Sequence, residues 1–225
     1  MAREKPLPSG FLLATRHQTH GKGQRGNTWS ASSGLNLTCS FLLNDHFMEV
    51  KNHFHLNMFV ALAVADVLSH KFFVKNVSVK WPNDIYIGHL KVGGILIENQ
   101  VKGALISQSI VGIGLNINQT DFSGINATSL TLCGYSNLTP ELALNQLIPM
   151  LNFRYEQLLH EPEKLKVEYL NHLYLRNKLA AYKDKDGAFK GTIKGVDEYG
   201  KLLILDQENV MRSYQMKEVQ LLGKV

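Results

Sequence analysis

The stretch Lys80–Glu98 reads KWPNDIYIGHLKVGGILIE, and the rest of the chain can be interpreted around it. Its apolar alternation breaks at Pro82-Asn83-Asp84, three residues that favour a turn. The alternation resumes through Gly88-His89, which predicts a tight β-hairpin. The amide and carboxylate of the first turn thereby come close to the ammonium of Lys91 and the backbone of Gly93-Gly94. This combination suits an anionic ligand, bound directly or through a metal, but a polar turn beside a solvated lysine explains it equally well.

Length and composition are those of an ordinary globular protein. The chain has 225 residues, 44% hydrophobic and 19% charged, enough for one large domain or one domain with a small appendage. Cys39 and Cys133 lie far apart with no metal-ligand spacing, which fits a reducing cytosol. No apolar stretch reaches the roughly 18–20 residues of a membrane span, and the N-terminus has no signal core. We expect a soluble, cytoplasmic protein, whose net charge of +5 does not decide its ligand.

A glycine-rich loop follows the first predicted strand, Phe11–Ala14. Residues 16–27, RHQTHGKGQRGN, contain three glycines and several potential cations but no apolar residue. Glycines let backbone amides approach an anion closely. Trp29 and a predicted strand, Leu35–Leu43, anchor the far end of the loop. A mobile basic surface loop remains the alternative, and the spacing matches neither a Walker loop nor a dinucleotide fingerprint.

Helices and strands alternate through the rest of the chain. Apolar spacing predicts a long buried helix over Glu49–Phe73, in which His53 and His55 would face different sides and form no metal site. Thr139 begins a helix to about Leu159, and a second helix ends near Leu175. The predicted strand Leu105–Ile113 runs into the glycines and amides of residues 112–118, which mark either a ligand or a bulged core strand.

The texture changes near Arg176, where we place a domain boundary between residues 1–176 and 177–225. Beyond it, five short alternating strands are divided by tight turns, a pattern typical of a small barrel. The predicted strands are Leu179–Tyr182, Phe189–Val196, Leu202–Leu205, Val210–Tyr214 and Val219–Leu222.

Three segments, in this order along the chain, resemble the biotin protein ligases. They are Gly21–Asn27 with Trp29, then Lys80–Asp84 with Lys91 and Gly94-Ile95-Leu96, and then Gly112–Asn116. The resemblance covers nearly the whole chain. It implies an α+β fold in which a mixed β-sheet is packed by helices, of the class II synthetase-like, biotin/lipoate ligase type. It also implies a small SH3-like β-barrel after the catalytic biotin- and ATP-binding domain.

The resemblance implies a two-step reaction that uses biotin, ATP and Mg²⁺. Biotin and ATP would give biotinyl-5′-AMP and pyrophosphate, and a lysine of a biotin carboxyl carrier domain would then take the biotin and release AMP. The partner would thus be the carrier domain of biotin-dependent carboxylases, with no nucleic acid and no membrane. The resemblance leaves a homodimer open.

Roles for individual residues follow from the same resemblance. The catalytic residues are expected to be Lys91, Lys22, Arg25 and Asp84. The biotin-binding residues are expected to be Gln18, Gly21, Lys22, Lys91, Gly93, Gly94 and Ile95. The ATP- or adenylate-binding residues are expected to be Lys22, Gln24, Arg25, Asn27, Trp29, Asn83, Lys91 and Asn116. The lysines and the arginine suit this chemistry because positive charge eases the attack of an anion on a polyanion. No metal ligand is assigned.

Two departures from the family pattern matter. The family usually has arginine where Lys22 stands and often another where Gln24 stands, so bidentate contacts are lost and retention of the adenylate should change. Nothing before Phe11 supplies the Ser-Thr-Asn motif that binds the biotin ring in the family, so we expect the N-terminal strand and helix to be missing, with Met1 near the end of that helix. No DNA-binding winged helix is expected either.

Other functions remain open on the sequence. A lipoate or octanoyl transferase of the same fold would also use one key lysine. A non-catalytic module that binds biotin or its adenylate would fit the missing N-terminal segment. Nucleic-acid binding by the basic loop is the weakest alternative, because the loop lacks interleaved aromatic residues.

Overall fold

A computed structural model describes residues 7–224, apart from the side chains of residues 25, 45–47 and 224. The expectation about Met1 and the missing helix therefore lies outside the described residues. Within residues 7–224, no helix combines the length and the apolar character needed to cross a membrane.

Six strands from the first half of the chain form the first sheet. They are β1 (Leu12–Ala14), β2 (Asn36–Glu49), β3 (Val77–Lys80), β4 (Asp84–Ile87), β5 (Leu90–Lys102) and β6 (Leu105–Asn116). Their order in space is β1-β2-β6-β5-β4-β3, and each pairing is antiparallel. The predicted α+β class is confirmed. The sheet that was expected to be mixed has antiparallel ladders, and its parallel contacts are isolated bridges such as Lys91 with Ala127.

Strand β2 continues well past its predicted end at Leu43. Its ladder with β6 runs from Asn36 to Asn44, shifts register, and resumes at Met48 and Glu49. The polar residues after Leu43 break the alternation in the sequence, but main-chain pairing does not depend on side-chain type. A β-bulge absorbs the extra residues.

Three helices cover the first sheet. They are α1 (Phe54–Asp66), α2 (Pro140–His160) and α3 (Pro162–His172). Helix α1 is buried nearly all round, as expected for a helix that is apolar on every side. The helix predicted from Glu49 begins at Phe54, because β2 uses Glu49 and a 3₁₀ turn intervenes. The predicted cap of α2 is confirmed, since Thr139 Oγ1 accepts from the Leu142 amide at 3.1 Å.

Five strands after α3 form the second sheet. They are β7 (Leu179–Asp184), β8 (Gly187–Val196), β9 (Leu202–Asp206), β10 (Met211–Tyr214) and β11 (Gln220–Lys224). The order β10-β9-β8-β7-β11 is consistent with an SH3-like domain. Among the described residues no pairing joins the edge strands β10 and β11. The sheet is thus not closed into the predicted barrel by strand pairing.

A buried ionic cluster ties the three helices together. Arg154 of α2 is almost fully buried, and its Nε donates to Asp66 Oδ2 of α1 at 2.6 Å. Its Nη1 donates to Gln157 Oε1 at 2.6 Å and also to Glu168 of α3. Buried charges need such partners because each has lost its hydration. The cluster therefore fixes how α2 and α3 pack on α1.

We predict that Asp66→Ala lowers the free energy of unfolding by about 3–5 kcal/mol, because it leaves the buried Arg154 guanidinium without the one carboxylate that is buried with it. Urea unfolding measures the change. The matched control is Glu141→Ala, which breaks the exposed ion pair of Glu141 with Arg16 and should change stability little. Equal destabilisation by both substitutions would contradict a structural role for the cluster.

Candidate functional site

Strands β2, β5 and β6 form the floor of a cavity of about 200 Å³. Alternate residues of a strand face opposite sides of a sheet. Leu37 and Phe41 of β2 pack into the core, whereas Thr38 and Ser40 line the cavity. The cavity thus lies where the small residues of these strands leave room.

Eight of the predicted site residues line this cavity. They are Gln18, Lys22, Gln24, Trp29, Asn83, Lys91, Gly94 and Ile95. They come from the glycine-rich loop and from the Lys80–Glu98 stretch, and β6 contributes Gly112, Ile113 and Gly114. The structure therefore brings the three segments together as walls of one space.

The indole of Trp29 lies directly on the glycines of the floor. A methyl group built at Gly114 would stand 2.4 Å from two atoms of the ring. At Gly94 it would stand 3.4 Å from the ring and 3.3 Å from Lys91 Nζ. Glycine at 114 is therefore required by close approach of a side chain. A ligand in the cavity would meet the aromatic ring.

The ammonium of Lys91 is the best-placed cation of the cavity. Its Nζ lies 2.6 Å from Asp84 Oδ1 and 5.8 Å from the centroid of a Trp29 ring, and both members of the ion pair are partly buried. Its main chain is also held, because its amide donates to Asn126 O at 3.3 Å and its carbonyl accepts from Thr128 N at 2.8 Å. The backbone that carries the Lys91 ammonium is therefore held in place by hydrogen bonds.

Asn83 joins the turn at residues 82–84 to the edge of β5. The Ile95 amide donates to Asn83 O at 3.0 Å, and the Asn83 side-chain amide donates to the Ile95 carbonyl. This reciprocal contact continues the β4–β5 pairing past the end of β4. Asp84, the first residue of β4, is held beside Lys91 in consequence.

The glycine-rich loop folds back on itself over the cavity. Gly23 N donates to Asn27 O at 2.7 Å, and Trp29 N donates to Gly21 O at 2.9 Å. Two polar atoms of cavity-lining residues, Gln18 Oε1 and Trp29 Nε1, are buried without a hydrogen-bond partner. Buried polar atoms are normally paired, so an unpaired acceptor and an unpaired donor at one cavity indicate a ligand or water.

Four of the other predicted site residues, Gly21, Gly93, Asn27 and Asn116, lie outside the cavity lining. Gly93 faces the core, where a methyl group would stand 3.6 Å from Ile85 Cβ, and Gly21 is buried under the Trp29 carbonyl. Asn116 is buried and donates to Thr128 O at 3.0 Å. Asn27 is exposed on the loop, and the Arg25 side chain is not among those described. The roles of these residues remain predictions.

Strand β2 supplies cavity residues that the sequence did not single out. Thr38 and Ser40 pair with Gly114 and Gly112 of β6 and so lie over the glycine floor. Their alternation with apolar neighbours was the available signal. Cys39 also lines the cavity, and burial raises the pKa of its thiol to about 12. The thiol therefore stays neutral, and it packs in the hydrophobic core with Leu37 and Phe41.

Comparison with known proteins agrees with this geometry. A family model described as the Biotin/lipoate A/B protein ligase family matches residues 2–116. Over 213 residues the chain is 27% identical to the bifunctional ligase/repressor BirA of Bacillus spizizenii, and over 218 residues it is 30% identical to biotin–protein ligase 2 of Arabidopsis thaliana. These alignments cover 92% and 91% of this chain. The chain spans 65% of the length of each of these two relatives.

Among solved structures, the fold is similar to that of the biotin protein ligase from Aquifex aeolicus in complex with biotin and ATP. The TM-score is 0.81 at 26% identity, and the match covers 99% of this chain and 93% of that one. The match to the family model extends over half of the sequence, through β6 and the glycine floor. The chain therefore belongs to the Biotin/lipoate A/B protein ligase family.

Proposed function

We propose that this chain is an ATP-dependent biotin protein ligase. It forms biotinyl-5′-AMP and transfers the biotin to a lysine of a biotin carboxyl carrier domain. The observation that carries the proposal is the single cavity in which the Lys91 ammonium, the Trp29 indole and the Gln18 amide meet over a glycine floor. The names of its relatives support the reaction, and the Aquifex structure holds biotin and ATP.

In the proposed first step, a carboxylate oxygen of biotin attacks the α-phosphorus of ATP. The bond from the α-phosphorus to the bridging oxygen breaks, and pyrophosphate leaves. Two anions must approach each other, so a fixed cation beside them stabilises the charge that develops on the phosphoryl oxygens. Lys91 provides this cation, which reorients from Asp84 toward the ligand. Lys22 adds a second positive charge at the cavity.

In the proposed second step, the amine of the carrier lysine attacks the carbonyl carbon of the mixed anhydride. An amide forms, AMP leaves, and the amine gives up a proton. Asp84 takes that proton or orients the amine, because Lys91 no longer occupies its carboxylate. The glycine-rich loop and Trp29 exclude water, which would otherwise hydrolyse the anhydride.

Mg²⁺ accompanies ATP in this proposal. Among residues 7–224, no group of three or more His, Cys, Asp or Glu side chains could hold a metal ion. Mg²⁺ usually binds substrate phosphates and water with only one or two carboxylates. Mg²⁺ bound to the ATP phosphates would lower their negative charge during the attack.

The proposal includes the finer expectations from the sequence. It treats residues 1–176 as the catalytic domain and residues 177–225 as a second domain, in a cytoplasmic protein. Arg25, Asn27 and Asn116 keep their proposed contacts with the adenylate. The carrier domain is the macromolecular partner, and sedimentation of the purified chain tests for a homodimer.

Exchange of labelled pyrophosphate into ATP tests the first step. Exchange that depends on biotin supports the ligase, and exchange that depends on lipoate supports the related transferase. Biotin binding without exchange supports a non-catalytic module. Transfer of labelled biotin to a purified carrier domain then tests the second step.

We predict that Lys91→Ala lowers the rate of biotinyl-5′-AMP formation by about 10²–10³-fold, the usual scale for removal of one preorganised charge stabiliser. Biotin-dependent pyrophosphate exchange measures the rate. Lys102→Ala is the control, because Lys102 lies on the same strand outside the cavity. An effect of Lys91→Ala below about tenfold would remove Lys91 from this role.

We predict that Gly114→Ala weakens ATP binding by about tenfold or more, because the added methyl group displaces Trp29, an expected adenylate-binding residue, from the floor of the cavity. Isothermal titration calorimetry measures the dissociation constant. The control is a double-mutant cycle with Trp29→Phe, whose smaller ring leaves room for the methyl group. Equal effects of Gly114→Ala in both backgrounds would show that the Trp29–Gly114 contact is not the cause.

A further inference from the structure

Trp81 lies outside the cavity, yet it connects the cavity to the second sheet. Its indole Nε1 donates to the carbonyl of Gly200 at 2.8 Å. Gly200 belongs to the turn Asp197–Lys201, which joins β8 to β9. The hydrogen bond therefore spans the two sheets.

The turn Asp197–Lys201 is fixed by its own hydrogen bonds. Asp197 Oδ1 accepts from the amides of Tyr199 at 2.9 Å and Lys201 at 2.8 Å, and the Asp197 amide donates to Lys201 O at 3.0 Å. The aspartate side chain therefore holds the backbone of the turn that contains the Gly200 carbonyl.

Gly200 also presses directly on the first helix. Its φ of +80° lies in the left-handed region, and a methyl group there would stand 2.3 Å from Phe54 Cγ at the start of α1. Both observations require glycine. The turn therefore packs against Phe54, which belongs to the core beneath the first sheet.

A short covalent path leads from Trp81 to the reacting groups. Trp81 is followed by Pro82, by Asn83 and then by Asp84. Asn83 is bonded to Ile95 on the edge of β5, and Asp84 forms the ion pair with Lys91. Trp81 and the carboxylate that holds the Lys91 ammonium therefore belong to the same short segment.

A second cavity, of about 360 Å³, lies beside this hydrogen bond. Trp81, Pro82 and Gly200 line it, and so does Gln24 of the glycine-rich loop. The indole packs against the hydrophobic core and also borders this cavity. Its hydrogen bond to the Gly200 carbonyl adds a directional contact to that packing.

We propose that Trp81 is a positioning residue, through which the turn Asp197–Lys201 sets the geometry of the Lys91–Asp84 pair. The inference rests on the proposed ligase function. Under this proposal the second sheet contributes to the geometry of the active site, because the turn between β8 and β9 supplies the carbonyl that binds the Trp81 indole. Small misplacement of reacting groups, of about 1 Å, can lower a rate by about 100-fold.

The test is Trp81→Phe, which removes the indole donor and keeps an aromatic ring. We expect kcat for biotin-dependent pyrophosphate exchange to fall by about tenfold, while KM for biotin changes less than about twofold. The control is Tyr214→Phe, which removes the hydroxyl that donates to Asp184 at 2.6 Å within the second sheet. The control should lower the thermal midpoint and leave kcat unchanged.

The inference is overturned if Trp81→Phe lowers the thermal midpoint but leaves kcat within about twofold of the unmodified chain. Should Trp81→Phe fail to fold, Asp197→Ala decides, because it loosens the turn and leaves Trp81 intact. A lower kcat with little change in KM supports the inference, and an unchanged kcat refutes it.

Failure of the proposed function is distinguishable from failure of this inference. If the unmodified chain shows no exchange with biotin, the ligase proposal falls, and the Lys91–Asp84 pair is then measured directly. Acetic anhydride labels lysine amines, and mass spectrometry of peptides gives the rate at Lys91. Trp81→Phe should raise that rate relative to Tyr214→Phe, and equal rates would overturn the inference.

Discussion

The ion pair between Lys91 and Asp84 is the interaction around which the site is built. A partly buried ammonium is stabilised by a nearby carboxylate while no ligand is bound. Asp84 provides that carboxylate, with its Oδ1 2.6 Å from Lys91 Nζ. Three other elements serve that pair. The Asn83 turn holds the carboxylate, the chain at Asn126–Thr128 holds the main chain of Lys91, and Trp29 covers the amine.

The site could be predicted largely from the sequence, because its signals are local. Glycines at 94 and 114 and the break at Pro82-Asn83-Asp84 interrupt apolar alternation, and such interruptions mark turns and close approach without any knowledge of the fold. Their meeting in one cavity could be inferred only from the resemblance, since the β5–β6 and β2–β6 pairings join distant residues.

Strand register explains much of what the sequence did not reveal. The β4–β5 ladder shifts between Ile85 and Tyr86, so Lys91 pairs with Tyr86 and Gly93 pairs with Ile85. An irregularity of one residue reverses which side chains face the cavity, and here it places Lys91 on the same face as Asp84 and Gly94. The contact of Arg154 with Asp66 could not be predicted from the sequence either, because the two residues lie on helices that are far apart along the chain.

Gln24 lines both the main cavity and the one beside Trp81. Its side chain therefore borders both spaces. A shorter side chain at this position would leave more open volume where the two spaces approach each other. The length of the side chain at position 24, as much as its charge, therefore determines how it lines the two cavities.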